Sequence, residues 1–350
     1  MRKSSLVFTA RLPKPSLLGS EILLVYDESL VKYSTEFKSW LKSFPLRYPV
    51  AAGEKLKSVD EFPLHIHKIV ALCRKSSSRN LTVVVVGGGS VGDFGGFVAS
   101  VLKRGVRLIQ IPSTWLAAID SAHGGKTALN VGSAKNQIGT FYPADNIFLV
   151  KSLLLSQPSA RSFEGFGELL KIALLAGGSF WKSFSKEKNV TPDLLWKYLR
   201  SAIQEKYKIV NKDPLEKTGH RHLLNLGHTV GHALEVYHEL PHGIAINYGL
   251  DFSLRYGVHL KLMTRKDYDA LMTYPVMAYL LSPSRDQLLF SNAQFLKNMQ
   301  NLLLSDKKKT SSHKLRFVFL KNPGKATIVE VTVDDLLIEI CRQKEEEWND

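Results

Sequence analysis

Cysteine is nearly missing from this chain of 350 residues: there are two, Cys73 and Cys341. Neither sits in a metal-type spacing, and two thiols cannot make a disulfide framework, so a disulfide-stapled scaffold and a cysteine zinc module are both excluded. Long apolar runs are missing too, which excludes a membrane-spanning helix. The opening MRKSSLVFTARLPKPSLLGS holds only a short apolar patch, interrupted by Arg11 and Lys14. It lacks the apolar core and small-residue cleavage site of a signal peptide, so the expected location is cytoplasmic, with no membrane partner. Acidic residues are in deficit, 32 against 47 basic ones, a net charge of +15. The basic residues are scattered, the longest run being KKK at 307–309, and no recognition-helix or RNA-binding signature accompanies them. An anionic small molecule fits this balance better than nucleic acid.

What is present is an ordinary globular composition, 44% hydrophobic and 23% charged, long enough for two domains. The segment from Leu81 to Asn136 organises the first half. Thr82 to Val86 is a β-branched run that reads as a strand buried on both faces. Gly87, Gly88 and Gly89 follow, and Gly87, Gly89 and Gly92 satisfy G-x-G-x-x-G. FGGFVASVLKR then has helical character and VRLIQI reads as a second strand. Strand, glycine turn, helix and strand is the context of a dinucleotide-binding unit, in which a helix N-terminus meets a pyrophosphate. A tight turn ahead of a helix explains three glycines as cheaply, so the pattern alone is weak. Upstream, Ile22 to Tyr26 reads as a strand ending in Asp27, placed either to hold a ribose hydroxyl or to cap a helix. Downstream, DSAHGGKTALNVGSAKN gathers Asp120, Lys126, Lys135 and Asn136, a polar cluster suited to a phosphorylated substrate.

Beyond residue 153 the texture changes. Helical periodicity dominates from 163 to 304, and only HKLRFVFL and ATIVEVTV look extended. The expected domains are 1–155, α/β, and 156–350, mainly helical. Three segments carry polar groups inside apolar helices: EGFGELLKIALL with Glu168 and Lys171 on one face, HRHLLNLGHTVGHALE with Arg221, Asn225, His228 and His232, and ELPHGIAINYGL with His242. A helical His pair at i, i+4 is usually structural or solvated. Three such segments together favour a metal held by two or three nitrogens and one carboxylate, without ranking His228 against His232.

The ordered strings GGGSVGDFGGF, KRG, IPSTWLAAIDS-x-x-GGKTALN, AKNQIG, GELLK, LLNLGHTVGHALE and HGIAINYG resemble the 3-dehydroquinate synthases, sugar phosphate cyclases related to glycerol dehydrogenases. The resemblance runs from about Glu54 to Gly324. It implies an N-terminal NAD-binding α/β domain and a helical C-terminal domain that binds a divalent metal, zinc foremost with cobalt as the alternative. By resemblance the metal ligands are Glu168, His228 and His242. NAD falls to Asp27, Glu54, Lys57, Gly87, Gly88, Gly89, Asp93, Ser113, Thr114, Asp120, Lys126 and Lys135. Asp120, Asn136, Lys206, Arg104 and Lys307 or Lys308 fall on substrate positions. Lys126, Lys171, Arg221, Asn225 and His232 fall on catalytic ones. Arg104 matches an arginine that reaches a neighbouring subunit, which implies a homodimer. The implied activity is that of a carbon–oxygen lyase acting on phosphate. It turns 3-deoxy-D-arabino-heptulosonate 7-phosphate into 3-dehydroquinate through transient oxidation by NAD, phosphate elimination, re-reduction and aldol closure, in the shikimate route to aromatic amino acids.

Four places depart from the family pattern. HGE is HGI with Ile244, DSSVGGK is DSAHGGK with Ala122 and His123, IPTT is IPST, and F-x-Q-P is FYPAD. None removes an implied ligand, but they leave open a deoxy-inosose or valiolone cyclase or a silent NAD- and metal-binding paralogue. A glycerol-dehydrogenase-like enzyme would not need the phosphate cluster, and a nucleic-acid binder ranks last. Lys57, Lys206 and Lys308 each have a plainer reading as solvated lysines, and Asp93 as a helix-turn carboxylate.

Overall fold

The computed structural model describes residues 4–75, 80–132, 134–281, 288–305 and 314–346. Lys307 and Lys308 lie outside the described residues. The chain forms two compact units, Met1–Ser162 and Phe163–Asp350.

The first unit holds β1 (Ser5–Thr9), β2 (Glu21–Asp27), β3 (Leu46–Val50), β4 (Leu81–Gly87), β5 (Arg107–Pro112), β6 (Lys126–Val131), β7 (Ala134–Phe141) and β8 (Asn146–Val150). Six of them make one parallel sheet in the order β1-β8-β5-β4-β2-β3. All seven residues of β4 are buried, as its run of valines requires of a central strand covered on both faces. From β2 the chain moves outward to β3; from β4 it moves the other way, to β5 and then β8. The winding therefore reverses between β2 and β4. Ligands of open α/β sheets bind outside the carboxyl ends of the strands at such a reversal. Here those ends carry Asp27 and Gly87, with Pro112 beside Gly87 on β5.

The helix Gly89–Val101 starts inside the glycine run, earlier than its apolar periodicity suggests. β6 and β7 make a separate antiparallel hairpin. The sequence does not announce it, because seven of the eight residues of β7 are exposed and no period-2 apolar pattern forms.

Among its described residues the second unit is mainly helical, with one antiparallel hairpin of β9 (Lys314–Asn322) and β10 (Lys325–Thr332), where the sequence reads extended. Phe252, Tyr256, Phe295, Phe317, Phe319, Leu336 and Ile340 form its core. Each such aromatic or aliphatic side chain contributes about 1.5–3 kcal/mol by leaving water. The helix Pro192–Val210 opens with Pro at its first residue and Thr191 Oγ1 accepting from the Leu194 amide, and it carries Lys206 on its buried face. Among the described residues no helix is long and apolar enough to cross a membrane.

Candidate functional site

In the first unit the polar residues gather at the carboxyl ends of the strands. Gly88 is the N-cap of the helix Gly89–Val101 and has no side chain to satisfy the first amides, so those N–H groups and the positive dipole end are directed at the reversal point. A Cβ on Gly88 would come within 3.1 Å of Thr114, and one on Gly89 within 3.2 Å of Ser121. The glycines thus keep this surface low, as close approach of a pyrophosphate demands. Asp27 is buried and its Oδ1 accepts from the Ser29 amide at 2.9 Å, a turn contact rather than a helix cap. Ser113 is buried after β5, and Thr114 Oγ1 accepts from the Ala117 amide. Asp120 lies on a π-helical turn, Ala117–Ser121.

Lys57 is not a solvated lysine: it is buried, with Nζ 2.7 Å from Asp93 Oδ2 and 2.6 Å from Asn136 Oδ1. Burial raises the Asp93 carboxyl above its ordinary value against the pull of Lys57. Three residues expected separately on the cofactor and substrate sides are therefore in direct contact. Lys126, Lys135 and Asn136 are exposed on the hairpin. Arg104 is exposed on a left-handed turn with φ +65°.

In the second unit, Glu168 and Lys171 share the helix Ser159–Ala176, His228 and His232 the helix His228–His238, and His242 opens the helix His242–His259. Glycines decide how closely these helices meet. A Cβ on Gly167 would lie 2.4 Å from the Gly243 carbonyl oxygen, and one on Gly243 2.3 Å from the Glu164 backbone. Only glycine fits at that crossing, which seats their sequence neighbours Glu168 and His242 against each other.

The outcome is a buried cluster. Glu168 Oε1 lies 3.1 Å from His228 Nε2 and 3.4 Å from His242 Nε2, and its Oε2 lies 2.5 Å from Lys171 Nζ. Neither carboxylate oxygen is in good hydrogen-bonding geometry with any of them. Both histidines use Nδ1 elsewhere: His228 donates to the Leu226 carbonyl at 3.1 Å, and His242 pairs with Glu235 Oε2 at 2.8 Å. Nε2 of each is thereby turned to the carboxylate. His228, His232 and His242 each offer a nitrogen, all within 4.8 Å of one another.

The electrostatics ask for a cation. Burial pushes Glu168 up, but Lys171 and His228 outweigh it and hold its carboxyl well below the ordinary range. Burial and the Lys171 ammonium bring His228 down to about 4, so that imidazole is neutral. Burial lowers His242 as well, yet Glu168 and Glu235 reverse it and raise it to about 10. One neutral imidazole, a second kept protonated by the charge of two nearby carboxylates, and a buried carboxylate whose contacts are poorly aligned fit a divalent metal, which would displace that proton.

Lys206 is buried. Arg221 and Asn225 sit on the 3-10 turn His220–Asn225, where Asn225 Nδ2 lies 3.2 Å from His222 Nδ1. Arg221 Nη1 donates to the Pro214 carbonyl at 3.1 Å. Sequence reasoning passed over two residues here. Glu235 stands at i+7 from His228 on the face that carries His232, a signal present in LLNLGHTVGHALE. Asp213 is buried and accepts from the amides of Lys217, Thr218 and Arg221 at 2.8, 3.1 and 3.2 Å, and no local pattern announces it.

The family model described as 3-dehydroquinate synthase N-terminal matches residues 47–164, and that described as 3-dehydroquinate synthase C-terminal matches residues 165–309. A 3-dehydroquinate synthase of Leptospira interrogans is 32% identical over 339 residues, covering 93% of this chain and 89% of that protein. One of Legionella pneumophila is 35% identical over 275 residues, covering 76% and 72%. Among solved structures, 2-deoxy-scyllo-inosose synthase complexed with carbaglucose-6-phosphate, NAD+ and Co2+ superposes with a TM-score of 0.80 at 24% identity, over 97% of this chain and 96% of that one. The 2-epi-5-epi-valiolone synthase of Streptomyces hygroscopicus, with NAD+ and Zn2+, gives 0.79 at 21%, over 99% and 98%. At these identities the two structures speak for the fold.

Proposed function

The chain belongs to the 3-dehydroquinate synthase family, and from that membership we propose that it is a carbon–oxygen lyase converting 3-deoxy-D-arabino-heptulosonate 7-phosphate to 3-dehydroquinate and phosphate. The observation that carries the reading is the cluster of buried Glu168 and His228 with half-buried His242, and Lys171 against it. In this reading those three hold a divalent metal, zinc foremost and cobalt next, and the uncapped helix after Gly88 holds the NAD pyrophosphate. The metal supplies Lewis acidity at a substrate hydroxyl and ketone, and NAD supplies a hydride acceptor regenerated within the turnover.

The remaining work falls to side chains. Lys126, Asn136, Lys206 and Arg221 bind the phosphate, Arg221 through its planar fork. Lys171 and Asn225 hold substrate oxygens, and His232 moves the proton of the hydroxyl to be oxidised. Asp27, Glu54, Lys57, Asp93, Ser113, Thr114 and Lys135 serve the cofactor, with Asp120 between cofactor and substrate roles. A homodimer built around Arg104, a cytoplasmic location and a place in aromatic amino-acid synthesis complete the reading.

Phosphate release from the heptulosonate phosphate by the metal-loaded protein tests it, with Glu168→Gln and Glu168→Ala as controls. The alanine change leaves the Lys171 ammonium buried and unpaired, at a cost of about 3–5 kcal/mol, so melting must be followed beside activity. Release that requires NAD and metal, and is lost in a folded Glu168→Gln, supports the assignment. NAD binding without release overturns it. Heptose phosphates then distinguish a cyclase of another branch from a silent relative.

A further inference from the structure

Asn130 belongs to none of the groups assigned above, yet it joins two of them. Its Nδ2 donates to Glu54 Oε2 at 2.7 Å, and its Oδ1 accepts from the backbone amide of Asn136 at 2.8 Å. A backbone N–H only donates, so the amide oxygen must face Asn136 and the –NH2 must face the Glu54 carboxylate. The residue is buried, and its backbone is also engaged. Its carbonyl accepts from the Val59 amide at 2.9 Å, in a bridge that aligns Ser58 with Asn130.

The need for this contact lies in the hairpin. Leu129 pairs with Ile138 and Val131 with Ala134, so the register slips across Asn130 and leaves 135–137 as a bulge in β7. Asn136 lies in that bulge at φ +56°, a left-handed conformation that asparagine tolerates better than most residues. A bulged residue loses its ladder partner, and Asn130 Oδ1 takes up the amide. The Asn136 side chain then turns its oxygen to Lys57 Nζ at 2.6 Å. A phosphate only accepts hydrogen bonds, so it needs the other end of that amide, the –NH2.

We propose that Asn130 is a positioning residue that registers the cofactor-side turn Glu54–Lys57 against the bulge residue Asn136, so that a single buried amide sets both the NAD side and the phosphate side. This rests on the roles given to Glu54, Lys57 and Asn136 in the function proposed above. It differs from them in that Asn130 touches neither ligand and acts through both neighbours.

Two variants separate its two bonds. Asn130→Asp keeps the acceptor for the Asn136 amide but sets a second carboxylate against Glu54. Asn130→Ala removes both. Three readouts apply to the full-length protein: NAD affinity by titration, KM and kcat of phosphate release at saturating NAD, and hydrogen exchange of the Asn136 amide. Asn130→Asp is expected to weaken NAD about tenfold or more, leave substrate KM within about threefold, and keep the Asn136 amide protected. Asn130→Ala is expected to weaken NAD, raise substrate KM about tenfold and lose the protection. A purely structural role would lower melting temperature and kcat in both variants without that split. Equal losses on both sides in Asn130→Asp, or native NAD affinity in both variants, overturn the proposal. A native chain that binds NAD but releases no phosphate overturns the assigned reaction instead, and the titration and exchange readouts still decide the role of Asn130.

Discussion

His242 and Glu235 form a 2.8 Å pair through Nδ1, and that pair aims the other ring nitrogen at Glu168, 3.4 Å away. The carboxylate fixes which nitrogen of the ring is left for a metal and makes that nitrogen more basic. Replacing Glu235 with Gln keeps a hydrogen-bonding partner and removes the charge; Ala removes both. Metal affinity measured by competition with a chelator is expected to fall by about 10–100-fold in Glu235→Ala and less in Glu235→Gln. Phosphate release should return toward the native rate at saturating metal. Unchanged metal affinity in Glu235→Ala would show that the pair does not orient the ligand.

A proton is the second consequence of the same pair. In the metal-free protein His242 is raised to about 10, so it is protonated at pH 8. A metal needs the neutral imidazole, and binding must expel that proton. Zinc added to metal-free protein in weak buffer at pH 8 is expected to release about one proton per ion, read with an indicator dye. The sign for stability follows from the raised value. The contribution of the protonated His242 is fully present below the unfolded-state value near 6.5 and is lost as pH rises through about 10. Metal-free protein should therefore lose stability across that window. Zinc uptake at pH 8 without proton release would contradict the assignment.

The glycines of the helix crossing make a third expectation. Gly167→Ala and Gly243→Ala each drive a methyl into backbone only 2.4 or 2.3 Å away, where no side chain can yield. Overpacking of this kind costs about 1–3 kcal/mol, and relief requires Glu168 and His242 to part. Both variants should lose metal affinity in step with stability. Gly178→Ala is a useful contrast, since nothing lies within 4 Å of its Cβ position, although its positive φ carries a strain of its own.

How far the sequence could be read is clearest in particular residues. The parallel sheet was legible because β4 is an unbroken β-branched run between turn residues, and the helical half because its apolar periodicity is long. Glu168, Lys171, His228 and His242 were legible from charged groups set inside apolar helices and from the resemblance those strings carry. Lys57 was harder, since burial of a lone lysine depends on Asp93 and Asn136, which are 36 and 79 residues away. The β6–β7 hairpin left little trace, because its second strand buries almost nothing. Asp213 left none: its partners are backbone amides, which have no sequence identity.

Asp213 carries the last prediction. Its carboxylate accepts three amides from 217 to 221, and Arg221 stands at the end of that loop. The carboxyl is held down to about 2 because those amide bonds overcome the upward push of burial. A depressed folded-state value means that its contribution is present above the unfolded value, near 3.9, and is lost as pH falls toward 2. Asp213→Asn keeps size but removes the charge and one acceptor, so the loop keeps only part of its anchorage. Arg221 should then wander from its place while the first unit is untouched. Substrate KM is expected to rise about tenfold, with NAD affinity unchanged and the loss of stability below pH 4 reduced relative to the native chain. A rise in KM for NAD equal to that for substrate would place the effect on the whole fold and refute a role confined to Arg221.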